Sequence, residues 1–299
     1  MKKLFLLMAF GSLTFVSRAQ IDSTQLLIDS LEARFSYQQG EVSLQSIGTL
    51  NVPEMFRYLD KPQSRYVLED LWGNPEDTTV MGMILPVNRG VLADDSWAFI
   101  ISYEEMGYVE DDDADDIDYD ELLEELRSES VAENEQRELA GYDPIEMVGW
   151  ASEPFYDKEN KVLHWAKELK FGENEFHTLN YNVRILGRKG VLVMNAVAPM
   201  GQLPEVRNSI QPVLASFNYV DGLKYSDFDP QLDEVAAWTI GGLVAGKVLA
   251  KAGILALLLK NIKLILIGLA AAGTALFKWF RRKTTLPDVR NIGGDSTNA

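Results

Sequence analysis

The chain has 299 residues, no cysteine and a formal charge of −17. Without cysteine it has no disulfide, no thiolate metal site and no thiol nucleophile. Residues 20–235 carry 43 of the 45 acidic side chains but 16 of the 28 lysines and arginines, a formal −27, so nucleic acid is a poor partner for them.

The first 19 residues have the three parts of an export signal. Lys2 and Lys3 supply positive charge, Leu4 to Val16 form an apolar run too short to span a bilayer well, and Ser17-Arg18-Ala19 places small residues at −3 and −1 of a cleavage site. Gln20 would then begin the mature chain. The alternative is an uncleaved N-terminal anchor.

Residues 20–235 are enough for one sizeable domain or two small ones, with no linker and no internal repeat. Asp22 to Phe35 reads as a short amphipathic helix. Val42 to Leu44, Thr49 to Val52 and Met55 to Tyr58 are short extended runs. Thr79 to Pro86 and Trp97 to Tyr103 are rich in β-branched and aromatic residues and read as half-buried strands.

From Glu104 to Glu125 there are thirteen carboxylates and no basic residue. Asp111, Asp113 and Asp115 alternate, and hard oxygen ligands at such spacing suit calcium, weakly bound. An EF-hand register fails, because Asp116 and Leu122 stand where that loop needs glycine and glutamate. A second expectation is glycan hydrolysis by paired carboxylates drawn from Asp113, Asp116 and Glu121. The plainest reading is a solvated loop in which Asp118 caps a helix over Tyr119 to Ser128, extending toward Leu139.

Further strands follow at Ile145 to Trp150, Lys161 to Phe171, Glu175 to Leu186 and Val191 to Ala198, with Gly187-Arg188-Lys189-Gly190 as the hairpin loop between the last two. Within Glu175 to Leu186, period-two alternation puts Asn180, Asn182 and Arg184 on one face, a polar row able to line a binding groove. Trp72, Trp150 and Trp165 read as core anchors, and Trp72 and Trp150 are candidates for ligand stacking. His164 and His177 are the only histidines and belong to no catalytic or metal motif. A helix over Pro204 to Ser216 and a strand over Ser216 to Tyr219 complete a fold expected to be α+β, an antiparallel sheet with flanking helices.

The C-terminal region is apolar. Leu264 to Phe277 has no charge, Lys263 and Lys278 flank it, and Trp279, Phe280 and Arg281-Arg282-Lys283 follow, the pattern of a transmembrane helix (261–280) whose C-terminal tail (281–299, expected disordered) is cytoplasmic. Ala236 to Leu259 is long enough to span, but Lys247 and Lys251 fall near its middle, at about 2.5–3.5 kcal/mol each for insertion. Segment 236–260 is therefore an amphipathic helix on the membrane or against a partner, or the first half of a two-span hairpin. Gly242 and Gly246 have the spacing for close helix contact, so with Lys247 and Lys251 they are the expected partner contacts.

Several blocks carry a resemblance. They include Trp72-Gly73-Asn74-Pro75, Met81-Gly82-Met83-Ile84-Leu85-Pro86, Gly107-Tyr108-Val109 before the aspartate run, and Gly149-Trp150-Ala151. Trp165-Ala166-Lys167-Glu168-Leu169, Leu179 to Arg188, Tyr225-Ser226-Asp227-Phe228 and Ala245-Gly246-Lys247 continue the series. Together, over roughly residues 40–260, they resemble the DUF2167 family of bacterial membrane-anchored proteins. The resemblance implies a periplasmic domain tethered to the inner membrane and no particular activity. The order of strands, hairpin, helix and final strand also looks like the Mog1/PsbP-like sandwich. The function expected is a binding or interaction module working with an inner-membrane protein or a second copy of itself, without a cofactor. The alternative is the carboxylate-dependent envelope hydrolase.

Overall fold

A computed structural model describes residues 26–93 and 95–248. In chain order these form α1 (26–32), β1 (Gly40–Leu44), β2 (Gly48–Val52), β3 (Phe56–Asp60) and α2 (Lys61–Arg65), which passes into a π-helical turn at Tyr66–Leu71. Then come β4 (Val80–Pro86), β5 (Ala98–Glu104), α3 (Tyr119–Leu139), β6 (Ile145–Asp157), β7 (Val162–Phe171), β8 (Thr178–Leu186), β9 (Val191–Pro199), α4 (Leu203–Leu214), β10 (Phe217–Tyr219) and α5 (Ile240–Ala245). One antiparallel sheet has the order β3-β4-β5-β9-β8-β7-β6, and a smaller one has the order β1-β2-β10. The fold is thus α+β with an antiparallel sheet, as the strand-rich pattern implies.

Alternation along the strands assigns the two faces of the large sheet. On one face Leu179, Tyr181, Val183 and Ile185 of β8 join Leu192, Met194 and Ala196 of β9 and Phe99 and Ile101 of β5. The small sheet and α4 cover this face, α4 through Val206, Ile210 and Val213 at helical spacing. Each such buried aliphatic or aromatic side chain contributes about 1.5–3 kcal/mol. Phe56, Trp97 and Phe99 add mutual edge-to-face contacts at 5.4–6.2 Å between ring centres.

The other face has two separate covers. Over β3, β4 and β5, Leu59, Met83, Leu85 and Ala98 meet Val67 and Leu68 of the π-helical turn. At the far side, Leu163 and Trp165 of β7 meet Leu122 and Leu126 of α3 and Ile240, Leu243 and Val244 of α5. Asn180, Asn182 and Arg184 of β8 lie on this face between the two covers, Asn182 buried and Asn180 and Arg184 half-buried.

Three features differ from expectation. α2 caps itself through Asp60, whose carboxylate accepts from Gln63 N at 3.2 Å, with Pro62 in the first turn; the run Leu59-Asp60-Lys61-Pro62 carries no helical periodicity. β6 continues past Trp150 to Asp157, because register shifts at Met147/Gly149, Trp150/Ser152 and Ser152/Phe155 break the alternation that marks a strand. Finally, among the described residues the helix expected over 236–260 is present only as α5. Gly246 adopts the left-handed conformation (φ 76°) and donates to Gly242 O at 2.8 Å, which closes the helix at Ala245. Among the described residues no helix is long and apolar enough to cross a membrane. The expected signal (1–19), residues 249–260 of the expected 236–260 helix with Lys251, the 261–280 span and the 281–299 tail lie outside the described residues.

The β8–β9 loop is the expected four-residue hairpin, closed by Gly187 N donating to Gly190 O at 2.8 Å. A Cβ on Gly190 would be driven into the Glu104 carbonyl oxygen and the Tyr103 hydroxyl. Gly190→Ala should therefore destabilise the domain by about 1–3 kcal/mol, read by urea unfolding. Unchanged stability would mean that this close approach of β5 to the hairpin is wrong.

Candidate functional site

Sheet register brings the polar residues of this strip together in rows, and the strip with the cavities at its Asn180–Val197 end is the candidate groove. Asn180 pairs with Val197 on β9 and Lys167 on β7; Asn182 pairs with Asn195 and Trp165; Arg184 pairs with Val193 and Leu163. A cavity of about 280 Å³ opens at one end, lined by Lys167, Asn180, Glu129, Glu133 and Ala245. Across the Asn180–Val197 pair, a second cavity of about 410 Å³ is lined by Val197, Trp72, Leu92, Ser96 and Phe176. Trp72 is fixed there by its indole N–H, which donates to Val91 O at 2.9 Å.

Hydrogen-bond donors outnumber acceptors in this strip. Arg184 is half-buried and forms no ion pair among the described residues; Nη1 donates to Asn195 Oδ1 at 2.9 Å and to Val183 O at 3.3 Å, and its guanidinium lies 5.2 Å from the centre of the Trp165 ring. Burial pushes its pKa down to about 10, against the pull of Glu104. The Trp165 indole N–H is buried without an acceptor. Lys167 makes no hydrogen bond or ion pair among the described residues, and burial, helped by Arg184, lowers its pKa to about 8, although Glu129 and Glu133 of α3 oppose the shift. Asn182, only 5% exposed, donates to Asn180 Oδ1 at 2.7 Å and to Asn180 O at 3.1 Å.

The remaining candidate residues serve elsewhere. Trp150 donates to Tyr119 O at 3.2 Å and packs with the α3/α5 cluster. The aspartates act separately. Asp111 accepts from Lys161 Nζ at 2.7 Å, Tyr156 Oη at 2.8 Å and Tyr225 Oη at 3.1 Å. Burial resists its ionisation, but the Lys161 ammonium and these hydroxyls hold its carboxyl below the usual range. Asp113 accepts from Ile240 N at 3.2 Å and Gly241 N at 3.4 Å, capping α5, while Asp115 pairs with Lys158. Asp118 caps α3 as expected, accepting from Asp120 N and Glu121 N at 3.1 and 3.0 Å. Among the described residues no group of three or more His, Asp or Glu is arranged to hold a metal. Asp116 and Glu121 are exposed, and neither they nor Asp113 line the two cavities of the groove.

Of the expected partner contacts, Gly242 is buried in its own domain and Gly246 ends α5. Lys247 pairs with Glu125 at 2.7 Å and with Glu129, both on α3 of the same chain. His164 Nδ1 lies 3.0 Å from the Tyr181 hydroxyl across β7 and β8, and His177 Nδ1, just before β8, lies beside Glu168 of β7. Sequence reasoning missed Lys167 and Asn195 as groove residues. Their only signal is cross-strand register with Asn180 and Asn182, which requires the whole sheet.

A family match spans residues 36–273, under the description "Protein of unknown function (DUF2167)". The chain belongs to the DUF2167 family. No curated protein matches it significantly. Among solved structures, this DUF2167 chain is similar to the cyanobacterial PsbP (CyanoP) of Synechocystis sp. PCC 6803, at 12% identity and a TM-score of 0.35, covering 62% of this chain and 93% of that one. It is also similar to the Ran-binding protein Mog1p of Saccharomyces cerevisiae, at 16% identity and a TM-score of 0.31, covering 65% of this chain and 100% of that one.

Lys167 makes a signed prediction. In the folded chain it releases its proton near pH 8, in the unfolded chain near about 10.4. Between these values the unfolded state binds more protons, so the burden of this lysine is full below pH 8 and lifts as pH rises. Lys167→Met should stabilise the DUF2167 domain at pH 7 by about 1–2 kcal/mol, discounted for partial exposure, with the gain shrinking above about pH 9. Thermal melts at pH 7 and 9.5 check this; a loss of stability at pH 7 would mean that the ammonium has a partner.

Proposed function

We propose that this DUF2167 chain is a membrane-anchored binding module of the bacterial cell envelope. In this reading the first 19 residues export it and the apolar stretch ending at Arg281-Arg282-Lys283 holds it in the inner membrane. The α+β domain then faces the periplasm and the C-terminus the cytoplasm, by the positive-inside rule. The observation that supports binding is the groove, a strip of amides and of cations that make no ion pair among the described residues, with a cavity on either side of the Asn180–Val197 pair. Buried or half-buried donors left without acceptors cost stability, so a domain that retains them has a use for them. The occupant is presented by an inner-membrane protein or by a second copy of the chain.

The test is purification of the full chain from detergent-solubilised membranes beside Val197→Trp, which fills the floor between the cavities. The proposal expects both forms in the membrane fraction with similar melting temperatures, and a stoichiometric companion retained by the natural chain and lost by the variant. A chain found in the soluble fraction would overturn the anchor. Identical companions for both forms would overturn the groove.

A further inference from the structure

The cavity of about 280 Å³ between α3 and the sheet carries opposite charges on its two walls. Lys167 and Asn180 lie on the sheet side as register partners on β7 and β8, and side chains so opposed start about 4.5–5.5 Å apart. Lys167 makes no hydrogen bond or ion pair among the described residues. Asn180 accepts from Asn182 through Oδ1, and its Nδ2 makes no hydrogen bond among the described residues. Two free donors therefore stand side by side, an arrangement that suits the two oxygens of one carboxylate.

The α3 wall of the same cavity presents Glu129 and Glu133. Both act on Lys167 through their charge but neither forms an ion pair with it, so a gap separates the ammonium from the carboxylates. Glu129 already pairs with Lys247, whereas Glu133 is exposed and makes no ion pair among the described residues. With its pKa lowered only to about 8, Lys167 is still charged at pH 7. Leu126, Met147 and Leu169 supply apolar lining, and the volume suits a small molecule. Charge narrows the choice further. The acidic domain repels a simple anion, and a simple cation meets Lys167, but a ligand carrying both signs escapes both penalties.

Going beyond the partner reading, we propose that this cavity binds a zwitterion, a free α-amino acid with an apolar side chain. Its carboxylate accepts from Lys167 Nζ and Asn180 Nδ2, and its ammonium faces Glu133. Its side chain lies against Leu126, Met147 and Leu169.

The test is titration calorimetry of free leucine into the full chain in detergent at pH 7. Isocaproate, which lacks the ammonium, and leucinamide, which lacks the carboxylate, serve as comparison probes. Saturable binding of leucine is expected, with isocaproate and leucinamide each weaker by about tenfold or more. Lys167→Met should abolish saturable binding. That variant is expected to be more stable than the natural chain, so the loss would not come from misfolding. Glu133→Gln, at an exposed position, should weaken leucine by about two- to fivefold. Leucine should also raise the melting temperature of the natural chain and leave that of Lys167→Met unchanged. No saturable binding, equal affinity in the Lys167→Met or Glu133→Gln chain, or isocaproate binding as tightly as leucine would each overturn the assignment. If the Val197→Trp chain loses its companion while leucine fails to bind, the partner reading stands and this assignment alone falls. If leucine binds as expected while both chains keep the same companion, the amino-acid site stands and the partner groove falls.

Discussion

The structure depends on one constraint, the alternation of β8 in the middle of the large sheet. Its odd-numbered residues, Leu179, Tyr181, Val183 and Ile185, are buried in the main core against α4 and the small sheet. Its even-numbered residues, Asn180, Asn182 and Arg184, form the polar strip on the other face. A slip of one residue would exchange the sets, placing an arginine and two amides in the core. The apolar half is therefore what holds the polar half in place. A groove on a strand flanked on both sides inherits the rigidity of the sheet, which a loop site lacks.

The acidic segment has a different part from the one its composition suggests. Carboxylates at this density repel one another, and the chain spreads them over separate partners. Asp111 joins Tyr156 and Lys161, Asp113 caps α5, Asp115 meets Lys158, and Glu125 and Glu129 meet Lys247. Together these contacts tie the loop before α3 and α3 itself to the β6–β7 hairpin and to the last described residues. The consequence for the groove is direct, because α3 and α5 form its second wall.

Legibility from the sequence followed the reach of the interactions. β4, β5, β7, β8 and β9 are readable because local alternation and β-branched composition decide them, and so is the Asp118 cap, whose partners are two and three residues away. The row Asn180, Asn182, Arg184 is readable for the same reason. The partners of Asp113 and Lys247 are not, since they lie more than a hundred residues away in sequence. Nor is the end of α5 at Ala245: Gly242 and Gly246 suggest helix packing, yet Gly246 serves as the left-handed cap that stops the helix. Lys167 and Asn195 became part of the site only through register. The bulges of β6 erased the alternation that would have marked its second half.

The claim at the centre of this account is that one face of β8 is reachable from solvent at Asn180 and Arg184 while the other is core. The absence of natural cysteine allows a clean measurement of that claim. Single cysteines placed at Asn180, Arg184 and Val197, and separately at Leu179, Tyr181 and Val183, would be treated with a water-soluble maleimide in the folded full chain. The account predicts labelling of the first set and protection of the second until the protein unfolds. Equal protection of both sets would contradict it.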